Sequence, residues 1–159
     1  MKKTTHFKLE ELVCPHVMKR DGQKGWRYVQ PVLIDFLDWL RTSLGVPVYV
    51  NTHVFSWGDM DQRGLRCNLC ELVKSKTLNG TLYLSGHIFG LAADINAEGK
   101  TSNELRDWLL NNMDKFFDKF TQYRPQYRLE SSHYAPTWTH IDFYPTNNGD
   151  AVDIIKPIQ

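Results

Sequence analysis

The chain has 159 residues, a formal net charge of +1, 42% hydrophobic residues and 13% aromatics. That length supports one domain with a sizeable core, and that apolar content excludes a disordered chain. The near-neutral balance gives no electrostatic ground for nucleic-acid binding, and no stretch is long and apolar enough to span a bilayer.

Residues 7–13, Phe-Lys-Leu-Glu-Glu-Leu-Val, read as a short helix or turn that packs Phe7, Leu9 and Leu12 and ends at Cys14-Pro15-His16. Residues 21–25 are a loop by composition. The clearest helix spans 31–44. There Val32, Leu33, Phe36, Leu37, Leu40 and Leu44 recur at helical spacing, with Asp35, Asp38 and Arg41 on the wet face. Pro31 suits its first turn and Gly45 stops it. Residues 46–51 then read as a strand rich in branched side chains.

From 52 to 84 the pattern is irregular, with a turn at 56–59. Gln62-Arg63-Gly64-Leu65-Arg66-Cys67-Asn68-Leu69-Cys70 places Arg63 and Arg66 on a glycine-containing loop suited to capturing an anion. Loops this long in a small domain serve a site or are mobile. A second strand, 91–96, carries Asp94. Thr101-Ser102-Asn103-Glu104 is a capping box opening a helix through Leu105, Trp108 and Leu109 toward Phe117. Residues 127–130 and 137–143 are the third and fourth strands, joined as a hairpin by 131–136, with His140 and Asp142 on one face by alternation. The tail from Pro145 reads as loop. Helices and strands are mixed rather than strictly alternating, which gives a single α+β domain over 1–159.

Ser85-Gly86-His87-Ile88-Phe89-Gly90-Leu91-Ala92-Ala93-Asp94 holds a His and an Asp separated by six residues, and Trp138-Thr139-His140-Ile141-Asp142 supplies a second His. Zinc takes nitrogen, oxygen and sulfur ligands in a tetrahedron, and a catalytic zinc keeps one position for water. His87, Asp94 and His140 would supply three ligands and leave the fourth position free. Gly86 and Gly90 permit a tight path between the first two, and Trp138 could wall the site. On spacing alone, ordinary core or surface histidines remain the alternative.

The pattern Ser85-x-His87-x-x-Gly90-x-Ala92-x-Asp94, followed downstream by Trp138-x-His140, resembles the zinc D-alanyl-D-alanine carboxypeptidases. It is similar above all to their small single-domain forms in phage and gut-bacterial genomes. That group includes D-Ala-D-Ala dipeptidases and L-alanyl-D-glutamate endolysins, and shares its core fold with the hedgehog domain. The resemblance implies a small, mostly antiparallel sheet with helices packed on one side, and a Zn²⁺ held by His87, Asp94 and His140. It also implies hydrolysis of a peptide bond in the peptidoglycan stem peptide, with a carboxylate as base and an arginine on an anionic substrate group. The chain departs from the family twice. Thr137 stands where many members carry an acid three positions before the last His, and His53-Val54-Phe55 stands where many carry Tyr-Arg. The base must then come from elsewhere: Glu130 is the first candidate and Asp142 the second, each with a plain structural role as the alternative. Arg66 and Arg63 are the substrate-binding candidates, and either could instead be a structural loop arginine.

The expected partner is the stem peptide, met by a monomer, with no nucleic acid and no membrane insertion. The opening Met-Lys-Lys-Thr-Thr-His-Phe has no apolar run behind it, so no secretory signal is expected. Synthesis in the cytoplasm with phage-associated release or particle delivery to the cell wall follows as an expectation. A non-catalytic binding or virion structural protein on the same fold is the second reading, motivated by Thr137.

Cys14, Cys67 and Cys70 make an odd count, which argues for reduced thiols rather than a disulfide framework. Cys67-x-x-Cys70 with Cys14 and His16 could complete a structural zinc site; three buried free thiols are the alternative.

Overall fold

A computed structural model describes residues 4–78, 80–146 and 150–155. Its helices are α1 (Pro15–Asp21), α2 (Pro31–Leu44), α3 (Glu71–Leu78), α4 (Ser102–Leu110) and α5 (Met113–Lys119). Its strands are β1 (Val48–Tyr49), β2 (Ala92–Ala97), β3 (Tyr127–Glu130), β4 (Thr139–Asp142) and β5 (Val152–Ile155). Short 3₁₀ turns cover Leu9–Glu11 and Gly22–Tyr28.

The strands form one sheet in the order β1-β2-β4-β3-β5, antiparallel except where β5 runs parallel to β3. The architecture is α+β with a small mixed sheet. Because side chains alternate along a strand, each strand divides its residues between two faces. Ala93, Ile95 and Ala97 of β2, Tyr127 and Leu129 of β3 and Ile141 of β4 enter the hydrophobic core. That core also holds Leu33, Phe36, Leu37 and Leu40 of α2, Leu105 and Leu109 of α4 and Phe116 of α5. Asp94, His140, Asp142, Arg128 and Glu130 hold the alternate positions. The register pairs Asp94 with His140 and Arg128 with Asp142, so the polar residues form cross-strand rows.

α2 forms at the expected bounds. Pro31 occupies its first turn, and Gly45 ends it in the left-handed conformation at φ 67°. Its wet face is narrower than alternation of charge suggests. Asp35 is buried and accepts a 2.6 Å hydrogen bond from Tyr123 Oη, while Asp38 accepts from the amides of Thr5 and His6. The chain start thus covers part of that face. The capping box at Thr101 forms, with Thr101 Oγ1 accepting from the Glu104 amide and Glu104 accepting from Thr101 N. The helix it opens stops at Leu110 instead of running through to Phe117. Asn111 and Asn112 donate side-chain hydrogen bonds to the carbonyls of Asp107 and Trp108 and close the last turn.

Four local expectations are corrected. Pro15 starts α1 rather than ending a helix, as a first-turn proline does. Residues 21–25 are not loop: Asp21 closes α1, and a 3₁₀ segment begins at Gly22. The irregular stretch contains α3, which buries only Val73 and therefore has no apolar stripe to read. The tail contains β5, a half-exposed edge strand with no clean alternation.

Candidate metal centre

β2 and β4 are neighbours, so Asp94 and His140 sit directly opposite each other on one face. His87 arrives from the turn before β2. Gly90 closes that turn at φ +68°, and a Cβ there would run into the Tyr28 carbonyl. Gly86 lies so close to the sheet that a Cβ would stand 2.9 Å from Ala92 Cβ and 3.0 Å from Asp142 Cβ. These two glycines fold the turn down onto the strands, as their placement in the motif suggests.

The three side chains converge. His87 Nε2 lies 3.2 Å from His140 Nδ1, His140 Nδ1 2.7 Å from Asp94 Oδ1, and His87 Nε2 3.4 Å from Asp94 Oδ1. A tetrahedral site with bonds of about 2.0–2.1 Å has ligand-to-ligand edges of roughly 3.3 Å. All three residues are buried.

The outer hydrogen bonds fix which ring nitrogens carry protons. His87 Nδ1 meets the Gly64 carbonyl at 2.8 Å, and His140 Nε2 meets Asp142 Oδ2 at 3.2 Å. Both partners only accept, so each of those nitrogens donates. With both rings neutral, as metal ligation requires, the inward nitrogens of His87 and His140 are lone pairs aimed at one another and at a carboxylate oxygen. Three acceptors call for a positive charge between them: in the metal-free chain a proton on His140 Nδ1, facing Asp94 Oδ1 at 2.7 Å, supplies it, and a divalent cation fits the same donor set.

The electrostatics of the metal-free chain put that proton on His140. Burial pushes the His140 pKa down, but its hydrogen bonds to Asp142 and Asp94 raise it to about 9. Burial holds His87 below the ordinary histidine value despite the charge of Asp94. Burial would raise Asp94, yet the two imidazoles hold it well below the usual carboxylate range. Asp94 Oδ2 also accepts from Arg66 at 2.7 Å. Asp142 is 1% exposed and receives Nε and Nη2 of Arg128 at 2.8 and 2.9 Å. Against the cost of burial, its bonds to His140 and Arg128 hold its pKa below the ordinary value.

Glu130 occupies the last position of β3, and the register carried one step beyond Leu129–Ile141 sets it opposite His140. It is half-buried. Burial raises its pKa, with the Asp94 charge adding and His140 opposing. Asp142, by contrast, is taken up by His140 and Arg128. Arg66 is committed to Asp94, to Tyr83 Oη at 3.1 Å and to the Gln62 carbonyl. Arg63 is bonded to the Asn96 side chain and lies 6.0 Å from the Trp138 ring centroid. It lines a cleft of about 400 Å³ with Tyr49, Trp57, Asp59, Asn96 and Lys100.

Residues that the sequence did not single out complete the arrangement. Asn51 is fully buried; its Oδ1 accepts from the amides of Arg63 and Gly64, and its Nδ2 donates to the Val13 carbonyl. It thereby holds the Gly64 carbonyl that faces His87. Arg128 is visible as a partner of Asp142 only once the β3–β4 register is known. A second group of ligand-type side chains, Cys14, His16, Cys67 and Cys70, also converges and could hold a metal.

Comparison of the chain with family models, with curated proteins and with solved structures finds no match. No helix among the described residues is long and apolar enough to cross a membrane.

Proposed function

We propose that the chain is a zinc-dependent peptidase of the zinc D-alanyl-D-alanine carboxypeptidase type, on the hedgehog-like fold, acting on the peptidoglycan stem peptide. The observation that carries this reading is the convergence of His87 Nε2, Asp94 Oδ1 and His140 Nδ1 within 3.4 Å of one another, with the outer imidazole nitrogens facing the Gly64 carbonyl and Asp142. A zinc ion held there would keep a position for solvent, acidify it and polarise the scissile carbonyl.

The protein's own groups divide the remaining work. Gly64 O and Asp142 orient the two imidazoles, and Arg66 holds the Asp94 carboxylate. Glu130 takes the proton of the attacking water and returns it to the leaving amine; its raised pKa suits a group that must do both near neutral pH. Arg63, whose half-buried guanidinium lines the neighbouring cleft, receives the anionic end of the substrate, with Lys100 beside it. Trp57, with Phe55 stacked against it at 5.3 Å, gives the cleft an apolar wall for the peptide.

The test is incubation of the zinc-loaded chain with stem peptides containing D-Ala-D-Ala or L-Ala-D-Glu bonds, read by mass spectrometry. Cleavage stops with chelator and returns with zinc, and H87A is folded but inactive. An H87A variant that cuts as well as the parent overturns the reading. Thr137, in place of the acid many members of the resembled family carry, favours one other outcome: a protein that binds cell wall through the same zinc without cutting it. Metal-loaded parent, E130Q and D142N chains that all bind peptidoglycan and never cleave it establish that outcome.

A further inference from the structure

Four side chains outside the proposed centre come together from two distant segments. Cys14 immediately precedes α1 and His16 lies in its first turn. Cys67 and Cys70 lie just before α3, where the amides of Val73 and Lys74 bond the Cys70 carbonyl. Cys67 Sγ is 4.0 Å from Cys70 Sγ, and Cys70 Sγ is 3.8 Å from His16 Nδ1. All four donor atoms lie within 4.8 Å of one another. Zinc–sulfur bonds of about 2.3 Å give tetrahedral edges of roughly 3.8 Å. A disulfide would need sulfurs about 2.05 Å apart, and all three cysteines are free.

The backbone is arranged for sulfur carrying negative charge. Cys67 N donates to Cys70 Sγ and Leu69 N to Cys67 Sγ, each at 3.4 Å. Amides aimed at sulfur are the outer partners that bound thiolates receive. Cys14 and Cys70 are fully buried, whereas His16 is exposed and leaves one side open for a metal to enter. Three thiolates and one imidazole fill a tetrahedron and leave no position for a substrate, the hallmark of a structural site.

The same segment continues into the first centre. Cys67 directly follows Arg66, which bonds Asp94 through its guanidinium and the His87 carbonyl through its amide at 3.1 Å. The Cys14 amide donates to the Leu65 carbonyl at 3.0 Å, and Gly64 presents its own carbonyl to His87. The Arg63 carbonyl accepts from the Asp94 amide at 2.8 Å. Residues 63–66 thus carry outer hydrogen bonds of two of the three ligands, with a cysteine at the end of the run.

We propose that Cys14, His16, Cys67 and Cys70 form a second, structural site for a thiophilic divalent cation such as zinc. Its occupancy anchors residues 63–67 and so preorganises the His87–Asp94–His140 centre. The site stands on its own geometry; only the coupling rests on the metal reading of the first centre. As the metal enters, the three thiol protons pass to solvent and no redox change occurs.

Cobalt(II) titration of the full-length, metal-free chain tests both parts. The parent takes up two equivalents, one of which develops the strong near-ultraviolet sulfur-to-cobalt charge-transfer band. H87A keeps that band and loses the other equivalent, which separates this site from the peptidase reading. C67S removes the band and weakens zinc at the first centre about tenfold, the size expected of lost outer-shell support. Should C67S fail to fold, H16A serves: its side chain is exposed, and it weakens the sulfur site at least tenfold while the chain stays folded. A parent whose cobalt complex shows no sulfur band, or whose three thiols all react with a thiol reagent at full metal loading, overturns the site. A C67S chain, or in its place H16A, that leaves zinc affinity at the first centre unchanged overturns the coupling.

Discussion

Replacing Asp142 by Asn separates a carboxylate that orients a ligand from one that accepts a proton. Asp142 is 1% exposed, lies 3.2 Å from His140 Nε2 and is held on its other side by Arg128. The amide preserves the shape but removes the charge that fixes the His140 tautomer and raises its basicity. Loss of such a partner weakens metal binding by about 10- to 100-fold, or roughly 1.4–2.7 kcal/mol. The unpaired guanidinium is 21% exposed in its side chain and can turn toward water, so the fold survives. Zinc competition against a chromophoric chelator, beside a melting curve of the metal-free chain, measures both quantities. Affinity falls in the stated range, and saturating zinc restores most of the activity. If D142N binds zinc as tightly as the parent yet no longer cleaves at saturating metal, Asp142 is the proton acceptor and its assignment as an orienting group is refuted.

Three further outcomes follow from other parts of the molecule. E130Q retains zinc with parental affinity and loses about 10²–10⁴ in kcat; unchanged turnover would remove Glu130 from the mechanism. F36A lowers unfolding free energy by about 3–5 kcal/mol in urea titration, because Phe36 is fully buried against Phe116 at 5.8 Å and Phe143 at 5.3 Å; a loss under 1 kcal/mol would contradict that packing. Burial and the hydrogen bond to Asp35 push the Tyr123 pKa from 10.0 up to about 12. Its folded value exceeds its unfolded one, so its stabilisation is complete below pH 10 and drains away as pH rises through about 12. Y123F therefore flattens the alkaline limb of a Tm–pH profile, and an unchanged slope would count against the Tyr123–Asp35 bond.

The parts of the fold legible in the sequence are those with strong local signals. α2 has a full apolar stripe, a first-turn proline and a stopping glycine, and its bounds were readable to the residue. β3 and the capping box of α4 were equally plain. α3 and β5 were hidden because each buries too little to leave a periodic trace. Asp35 misled because its charge suggested solvent, whereas a tyrosine 88 residues away supplies its hydrogen bond. At the candidate centre, His87, Asp94 and His140 were nameable from motif and alternation; the β2–β4 register brings Asp94 and His140 together, and the turn before β2 adds His87. The support around them was not. Asn51 reads as a strand end, the Gly64 carbonyl is backbone, and Arg128 gains its meaning only opposite Asp142. Arg66 shows the limit most clearly: a loop arginine suited to a substrate anion instead holds Asp94 of the candidate centre.

Anomalous scattering at the zinc edge from crystals of the zinc-loaded chain tests the central claim most directly. A peak is expected about 2.0–2.1 Å from His87 Nε2, Asp94 Oδ1 and His140 Nδ1, with a solvent oxygen as fourth neighbour. Crystals with zinc bound elsewhere in the chain and no peak between those three atoms would contradict it.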